Sequence, residues 1–460
     1  MTKRILAVLT VFLFVFTACV FAQDTPKAKN VVILIGDGMG FNCDLAGTYY
    51  RYGEEGKQSY HSFPVRLGCT TYSRKTEQPI PADCKGYDPE VFWQSLDGAN
   101  KGTEFTVTTD SAASSTAIHS GVKTINGMIG VDVQNNPVEL VSEVAFKTGR
   151  KAGCVTTVTN CDATPAGFCA HSKSRGSLDD IFNQMIGENS PLAVVMGCGH
   201  PLYSNGKERT IKEDESEKDR KARFSAVGGE ATWDKMKDGG INGFTFIETK
   251  KQFEELAFPK PEAALPGKVV GIVRELSDLT TMALGAINVL TQDNDTGFIL
   301  MIEGGAIDHA NHGRNIKQSV LEHADFSKAI DAVIQWVETK SSWDETLVII
   351  TADHETGQLW GPGTYRDTND DGVYDKAKGD VFVEFQPIEN AGRGNVPKVQ
   401  YASGGHTNAM VPLYAKGAGA ELFLKRINGT DAKAGEFWKF SGQYVDDTDI
   451  AHVVKTVLAP

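Results

Sequence analysis

Basic residues are in the minority. Lys and Arg together number 46 against 59 Asp and Glu, for a formal net charge of -13. That balance excludes nucleic acid as a dedicated partner, because no basic surface is left to neutralise a phosphate backbone. It also means that an enzyme acting on anions needs local metals or Arg to overcome a repulsive global field. Beyond the first 22 residues no apolar run is long enough to cross a membrane, so no transmembrane segment is expected. Internal repeats and extended low-complexity stretches are absent too, which leaves an ordinary globular chain. Cysteine is scarce and shows no zinc-ribbon spacing. After the leader come Cys43, Cys69, Cys84, Cys154, Cys161, Cys169 and Cys198. In an oxidising compartment this odd number leaves one thiol over and the connectivity open; Cys69 with Cys84, and Cys161 with Cys169, are close enough in sequence to pair.

What is present begins with an export signal over 1–22. Lys3 and Arg4 form the basic start, Ile5–Phe16 the apolar core, and Val20-Phe21-Ala22 a small-residue cleavage site before Gln23. The mature chain, 23–460, is then periplasmic or secreted. A second reading takes Thr17-Ala18-Cys19 as a lipoprotein box with a lipid anchor on Cys19, though Phe16 fits that box poorly.

The chain is organised around Thr109-Asp110-Ser111-Ala112-Ala113-Ser114. Strand-favouring residues (Glu104–Thr108) precede it, and small helix-compatible residues run on to Gly121. Ser111 is thereby expected at a helix N-terminus, where its N–H and the helix dipole face an anion held over its hydroxyl. The plain alternative is that Asp110 or Ser111 is only an N-cap. Elsewhere, short apolar strands alternate with helical patterns. Asn30–Ile35, Gly153–Thr159, Leu192–Met196, Phe298–Ile302, Leu347–Ile350 and Val411–Tyr414 read as strands, which predicts an α/β fold around a large, mostly parallel sheet. Residues 57–102 read as loop-like. The alternation stops over Gly361–Ser403, which is expected to be an inserted cap.

Five strand ends carry candidate metal ligands: Asp37; Asp162; Glu303 with Asp308 and His312; Asp353 with His354; and His406 after Gly404-Gly405. Open α/β sheets bind ligands at the carboxyl ends of their strands. Gly36-Asp37-Gly38-Met39-Gly40 is not a dinucleotide fingerprint, whose glycines are spaced differently. Asp and His suit zinc, whereas Glu, Asp and Thr oxygens suit magnesium. Asp308 and His312 stand four apart, so one helical turn brings both to a single ion.

These stretches, with Asp162-Ala163-Thr164-Pro165 and Thr351-Ala352-Asp353-His354-Glu355, occur in the order seen in the alkaline phosphatase family. The chain resembles that family from Val31 to Leu413. The resemblance implies hydrolysis of phosphate monoesters through a phosphorylated Ser111. It implies two zinc ions, one on Asp308, His312 and His406, the other on Asp37, Asp353 and His354. It also implies one magnesium ion on Asp37, Thr164 and Glu303, with Asp162 binding it or its waters. Arg175 would clamp the phosphate, and a homodimer is expected. His309 and Asp162 form a mixed pair: each matches a member type that differs at the other position. His309 is therefore expected beside the phosphate as a largely neutral neighbour at alkaline pH, where a lysine would stay charged. Other readings are a phosphodiesterase or sulfatase sharing the metal core, and a secreted metal- or phosphate-binding protein without turnover. Asp367–Asp375 resembles the start of a calcium loop, but Lys378 stands where that loop wants its Glu, and a plain acidic turn is the expectation.

Overall fold

The computed structural model describes residues 26–460 except 80, 82, 83, 85, 99–101, 276, 370 and 373. The leader and Cys19 lie outside the described residues, as does part of the Asp367–Asp375 turn.

Short apolar runs form the strands. In β1 (Asn30–Ile35) every residue is buried. Successive side chains on a strand point to opposite faces, so both faces of the sheet are covered here. The other strands of the main sheet are β2 (Val65–Thr70), β3 (Lys151–Thr159), β4 (Leu192–Cys198), β5 (Thr245–Ile247) and β6 (Val269–Ile272). They are followed by β7 (Phe298–Glu303), β8 (Thr346–Thr351), β9 (Val411–Gly417), β10 (Gly429–Thr430) and β11 (Gln443–Asp446). Their spatial order is β10-β11-β2-β9-β8-β1-β7-β3-β4-β6-β5. Only β9 and β10 run against the rest. The registers Ile35↔Thr351, Ile35↔Glu303 and Glu303↔Thr156 bring the carboxyl ends of β8, β1 and β7 to one level, beside Thr156 of β3.

Two expectations fail. Residues 57–102 are not simply loop: Val65–Thr70 is the mostly buried strand β2, paired to β9 and β11 within the main sheet, and Tyr72–Arg74 pairs with Thr106–Thr108. Neither cysteine pairing forms; the seven cysteines among the described residues are free thiols. Cys169 lies against Cys154 and gives its hydrogen bond to the Pro165 carbonyl.

The helices that matter for the site are α1 (Phe41–Tyr52), α2 (Ser111–Ser120), α3 (Ala163–Cys169), α4 (Leu279–Thr291), α5 (Ala306–His312), α6 (Ile316–Lys340) and α7 (Thr448–Leu458). Asp44 on α1 ties several of these elements together. Its buried carboxylate accepts from Tyr60 (2.6 Å), His61 (3.0 Å), His323 on α6 (3.1 Å) and Tyr414 on β9 (2.9 Å). Burial pushes the Asp44 carboxyl up, but the two imidazoles and their hydrogen bonds hold it well below its ordinary value.

Residues 361–403 contribute one small ladder of their own, Tyr365–Arg366 with Val381–Phe382, and pair Gln400–Tyr401 with Leu359–Trp360 just before them. Their aromatic rings join a satellite core separate from the one around the sheet. There Trp360, Tyr365 and Phe385 meet Phe41, Tyr87, Phe92 and Trp438. Asp431 fixes this cluster by accepting from Tyr87 (2.7 Å) and Trp93 (2.8 Å).

Candidate active site

The site lies where β8, β1, β7 and β3 end, against the N-terminus of α2. Asp110 is the N-cap, accepting from the Ala113 N–H at 3.0 Å. Ser111 is thus the first helical residue and its hydroxyl is not needed for capping; its Oγ sits 3.2 Å from His354 Nε2.

Two groups of potential metal ligands converge here, Asp308, His312 and His406, and Asp37, Asp353 and His354; in each, the ligand atoms lie within 4.8 Å of one another. On α5 the i, i+4 spacing acts as expected, placing His312 Nε2 3.2 Å from Asp308. His406 Nε2 reaches Asp308 at 3.6 Å, while His354 Nε2 lies 3.1 Å from Asp353 and 3.7 Å from Asp37. The His354 and His406 rings stack at 3.5 Å, so the groups are adjacent.

The imidazole tautomers follow from what lies behind the rings. His312 Nδ1 is 2.6 Å from the Gly404 carbonyl and His406 Nδ1 is 2.9 Å from the Thr109 carbonyl. A carbonyl only accepts, so both Nδ1 atoms carry a proton, and both Nε2 atoms face the site. Thr356 does the same for His354. Its hydroxyl donates to Asp308 at 2.6 Å and so accepts from His354 Nδ1 at 3.2 Å, linking the two groups.

A third set lies deeper. Glu303 Oε2 accepts from the Thr156 hydroxyl, leaving Oε1 without a partner. Thr164 Oγ1, Asp37 Oδ1 and Asp353 Oδ2 are likewise buried without a hydrogen bond. Buried polar atoms are otherwise almost always bonded, so these orphans aimed at one another have the donor chemistry of a cation site. Charge says the same. Burial, then the neighbouring Asp353, Asp308 and Glu303, raises the Asp37 carboxyl well above its ordinary value. Burial raises Glu303 to about 8 and Asp353 to about 7. Burial and the neighbouring His406 lower His354, keeping it in the neutral form that binds metals. At Asp308, burial is outweighed by His312 and His354, and the carboxyl is held low; its hydrogen bond with Asp308 lifts His312 to about 9. Divalent cations are what makes such a crowd of carboxylates tolerable in their charged form.

Arg175 stands at the rim, its Nη1 3.2 Å from Asp110 and its Nη2 3.0 Å from Asp162. Its backbone N–H donates to the Gly127 carbonyl at 2.7 Å, and Gly127 in turn donates to Asp110 at 2.9 Å. Asp162 also caps α3, accepting from Ala163 at 2.7 Å. His309 stands apart. It is exposed on α5, in neither ligand group, and its charged neighbour is Glu322 on α6. Sequence reasoning did not find Thr356, Thr156 or the tether role of Asp110. For Thr356 and Asp110 the one local signal was a position shortly after a strand, whereas Thr156 lies within β3.

The alkaline phosphatase family model matches residues 28–459. Alkaline phosphatase 3 of Bacillus subtilis is 29% identical over 469 residues, covering 90% of this chain and 91% of its own. The human tissue-nonspecific isozyme of alkaline phosphatase is 26% identical over 431 residues, covering 85% and 75%. Among solved structures, the alkaline phosphatase of the Antarctic bacterium TAB5 shares the fold, with a TM-score of 0.59 at 22% identity, covering 94% of this chain and 98% of that one. A histidine-to-aspartate mutant of the TAB5 enzyme, described with magnesium bound in its M3 site, has a TM-score of 0.58 at 23% identity, covering 94% and 99%.

Proposed function

The chain belongs to the alkaline phosphatase family of metal-dependent phosphoesterases, and from that premise we propose that it hydrolyses phosphate monoesters through a phosphoserine at Ser111. The observation that carries this reading is the Ser111 hydroxyl, free of capping duty and 3.2 Å from His354 Nε2, beside two metal-ligand groups.

Asp308, His312 and His406 would hold one zinc, and Asp37, Asp353 and His354 the second. Asp37, Thr164 and Glu303 would hold magnesium, with Asp162 serving that ion or its waters. The orphaned oxygens of Asp37, Thr164, Glu303 and Asp353 support this assignment, and carboxylates suit a hard ion better than imidazole does. When bound, the metals supply Lewis acidity for the nucleophile and for the leaving oxygen. The Ser111 oxygen attacks phosphorus, and the bond to the alcohol breaks. The Ser111 N–H and the α2 dipole face the phosphoryl oxygens. Arg175 binds two of those oxygens through its fork, aimed by Asp110 and Asp162. Attack by water on the phosphoserine then releases phosphate and restores Ser111. His309 is assigned the outer edge of the phosphate site.

Residues 1–22 support export to the periplasm or the exterior, 23–460 act as one domain capped by 361–403, and the active form is a homodimer. Among the described residues no helix is long and apolar enough to cross a membrane. A chromogenic phosphate monoester, a diester and a sulfate ester, assayed side by side, test the reaction class. Preference for the monoester is expected; a diester or sulfate ester turned over faster, or no turnover of any, overturns the reading.

A further inference from the structure

The face of α2 that carries Ser111 carries two more polar side chains, Ser115 and His119, one and two turns further on. Both are fully buried. A serine or threonine inside a helix usually gives its hydroxyl proton back to a carbonyl three or four residues earlier. On α2 three of them do: Ser114 to Ser111 (3.4 Å), Thr116 to Ala112 (2.8 Å) and Ser120 to Thr116 (2.6 Å). Ser115 instead donates across to α3, to the Thr164 carbonyl at 2.7 Å.

His119 holds it there. Its Nδ1 is 3.0 Å from the Ser115 oxygen. The single Ser115 proton is committed to a carbonyl, so Nδ1 must be the donor in this second bond. Nε2 is then a bare lone pair with no partner, packed edge-on against Phe168. Burial drives the His119 pKa down to about 3, so the ring stays neutral. A buried unmet acceptor is costly, and an apolar side chain at 119 would avoid it. What the imidazole provides in return is an Nδ1 proton directed at Ser115, shared between its hydroxyl and its backbone carbonyl. The contact is close by design of the backbone: a Cβ on Gly167 of α3 would lie 2.4 Å from Ser115 Oγ.

Given the assignment of Thr164, Glu303 and Asp37 to magnesium, we propose that Ser115, oriented by His119, is a positioning residue for Thr164. The pair clamps the first turn of α3 to the helix of the nucleophile and so sets the affinity of the third metal site. Partners of this outer kind shift metal affinity by about tenfold or more when removed.

The test is magnesium binding to the zinc-loaded, magnesium-free protein, read by calorimetry and by metal content at fixed free magnesium, with Tm measured in parallel. Thr164→Val should lose the site. Ser115→Ala and His119→Leu should weaken magnesium binding by about tenfold. His119→Asn, whose Nδ2–H stands where Nδ1–H was, should stay within about threefold of wild type. If Thr164→Val loses magnesium while Ser115→Ala and His119→Leu keep wild-type affinity, the clamp is overturned, whatever happens to Tm. If Thr164→Val binds magnesium normally, the third-site assignment itself fails and the clamp falls with it. Should Ser115→Ala not fold, the contrast between His119→Leu and His119→Asn decides the same point.

Discussion

Asp110 and Ser111 are adjacent, yet their side chains do different work at the start of α2. The aspartate caps the helix and ties Arg175, whereas the serine hydroxyl is left pointing at His354. Ser111→Ala should therefore leave α2 intact and phosphate inhibition nearly unchanged, while kcat on a monoester falls by about 10³-fold or more. Near-normal turnover would reduce Ser111 to a helix-start residue. His309→Lys would set a permanent positive charge next to Asp308 on α5. Phosphate inhibition should tighten and the pH optimum move lower, since a lysine holds its positive charge at alkaline pH. If both measurements stay put, His309 does not face bound phosphate. At this scale the ligand types were legible in the sequence, because Asp308 and His312 sit one turn apart and the others follow apolar strands. Thr356 was not: its value comes from touching both Asp308 and His354, a contact made only when β8 and α5 are brought together.

Among the elements, those read correctly have long local signals, and those missed do not. β1, β7 and β8 are six-residue, wholly buried runs, and α6 spans 25 residues. β2 has glycine at its fourth position, and its partners β9 and β11 lie more than 300 residues on, so no nearby pattern announces it. The junction of α1, α6, β9 and the Ser59–Ser62 turn offers a separate test through Asp44. Removing one partner of a buried charged network costs about 3–5 kcal/mol, and Asp44→Ala should show a loss of that order in denaturant unfolding. The folded Asp44 carboxyl is depressed, so the unfolded chain takes up a proton first as pH falls. Its contribution is complete above the unfolded value of about 3.9 and disappears as pH drops through the lower folded value. Wild type should lose stability in that acid range more steeply than Asp44→Asn; equal slopes would remove Asp44 as the cause. The tyrosines 60 and 414 and the imidazoles 61 and 323 face the group and must be kept constant in the comparison.

For the molecule as a whole, a net charge of -13 and a crowded acidic centre make cations part of the structure as well as of the chemistry. Exhaustive chelation should abolish activity and lower Tm, and zinc plus magnesium should restore both. Full activity after metal loss, confirmed by elemental analysis, would contradict the assignment of the ligand groups. The order of the sheet has a further consequence, for synthesis. β1 is made about 260 and 310 residues ahead of its two hydrogen-bonded neighbours, β7 and β8. At ordinary elongation rates of about 5–20 residues per second, that is a wait of roughly 13–60 s. Throughout that time a six-residue apolar edge has no native partner to pair with. β1 is thus a strand in need of a chaperone during synthesis, and a ribosome stalled before residue 298 should hold a nascent chain that binds one tightly; a stalled chain that binds none would remove that need.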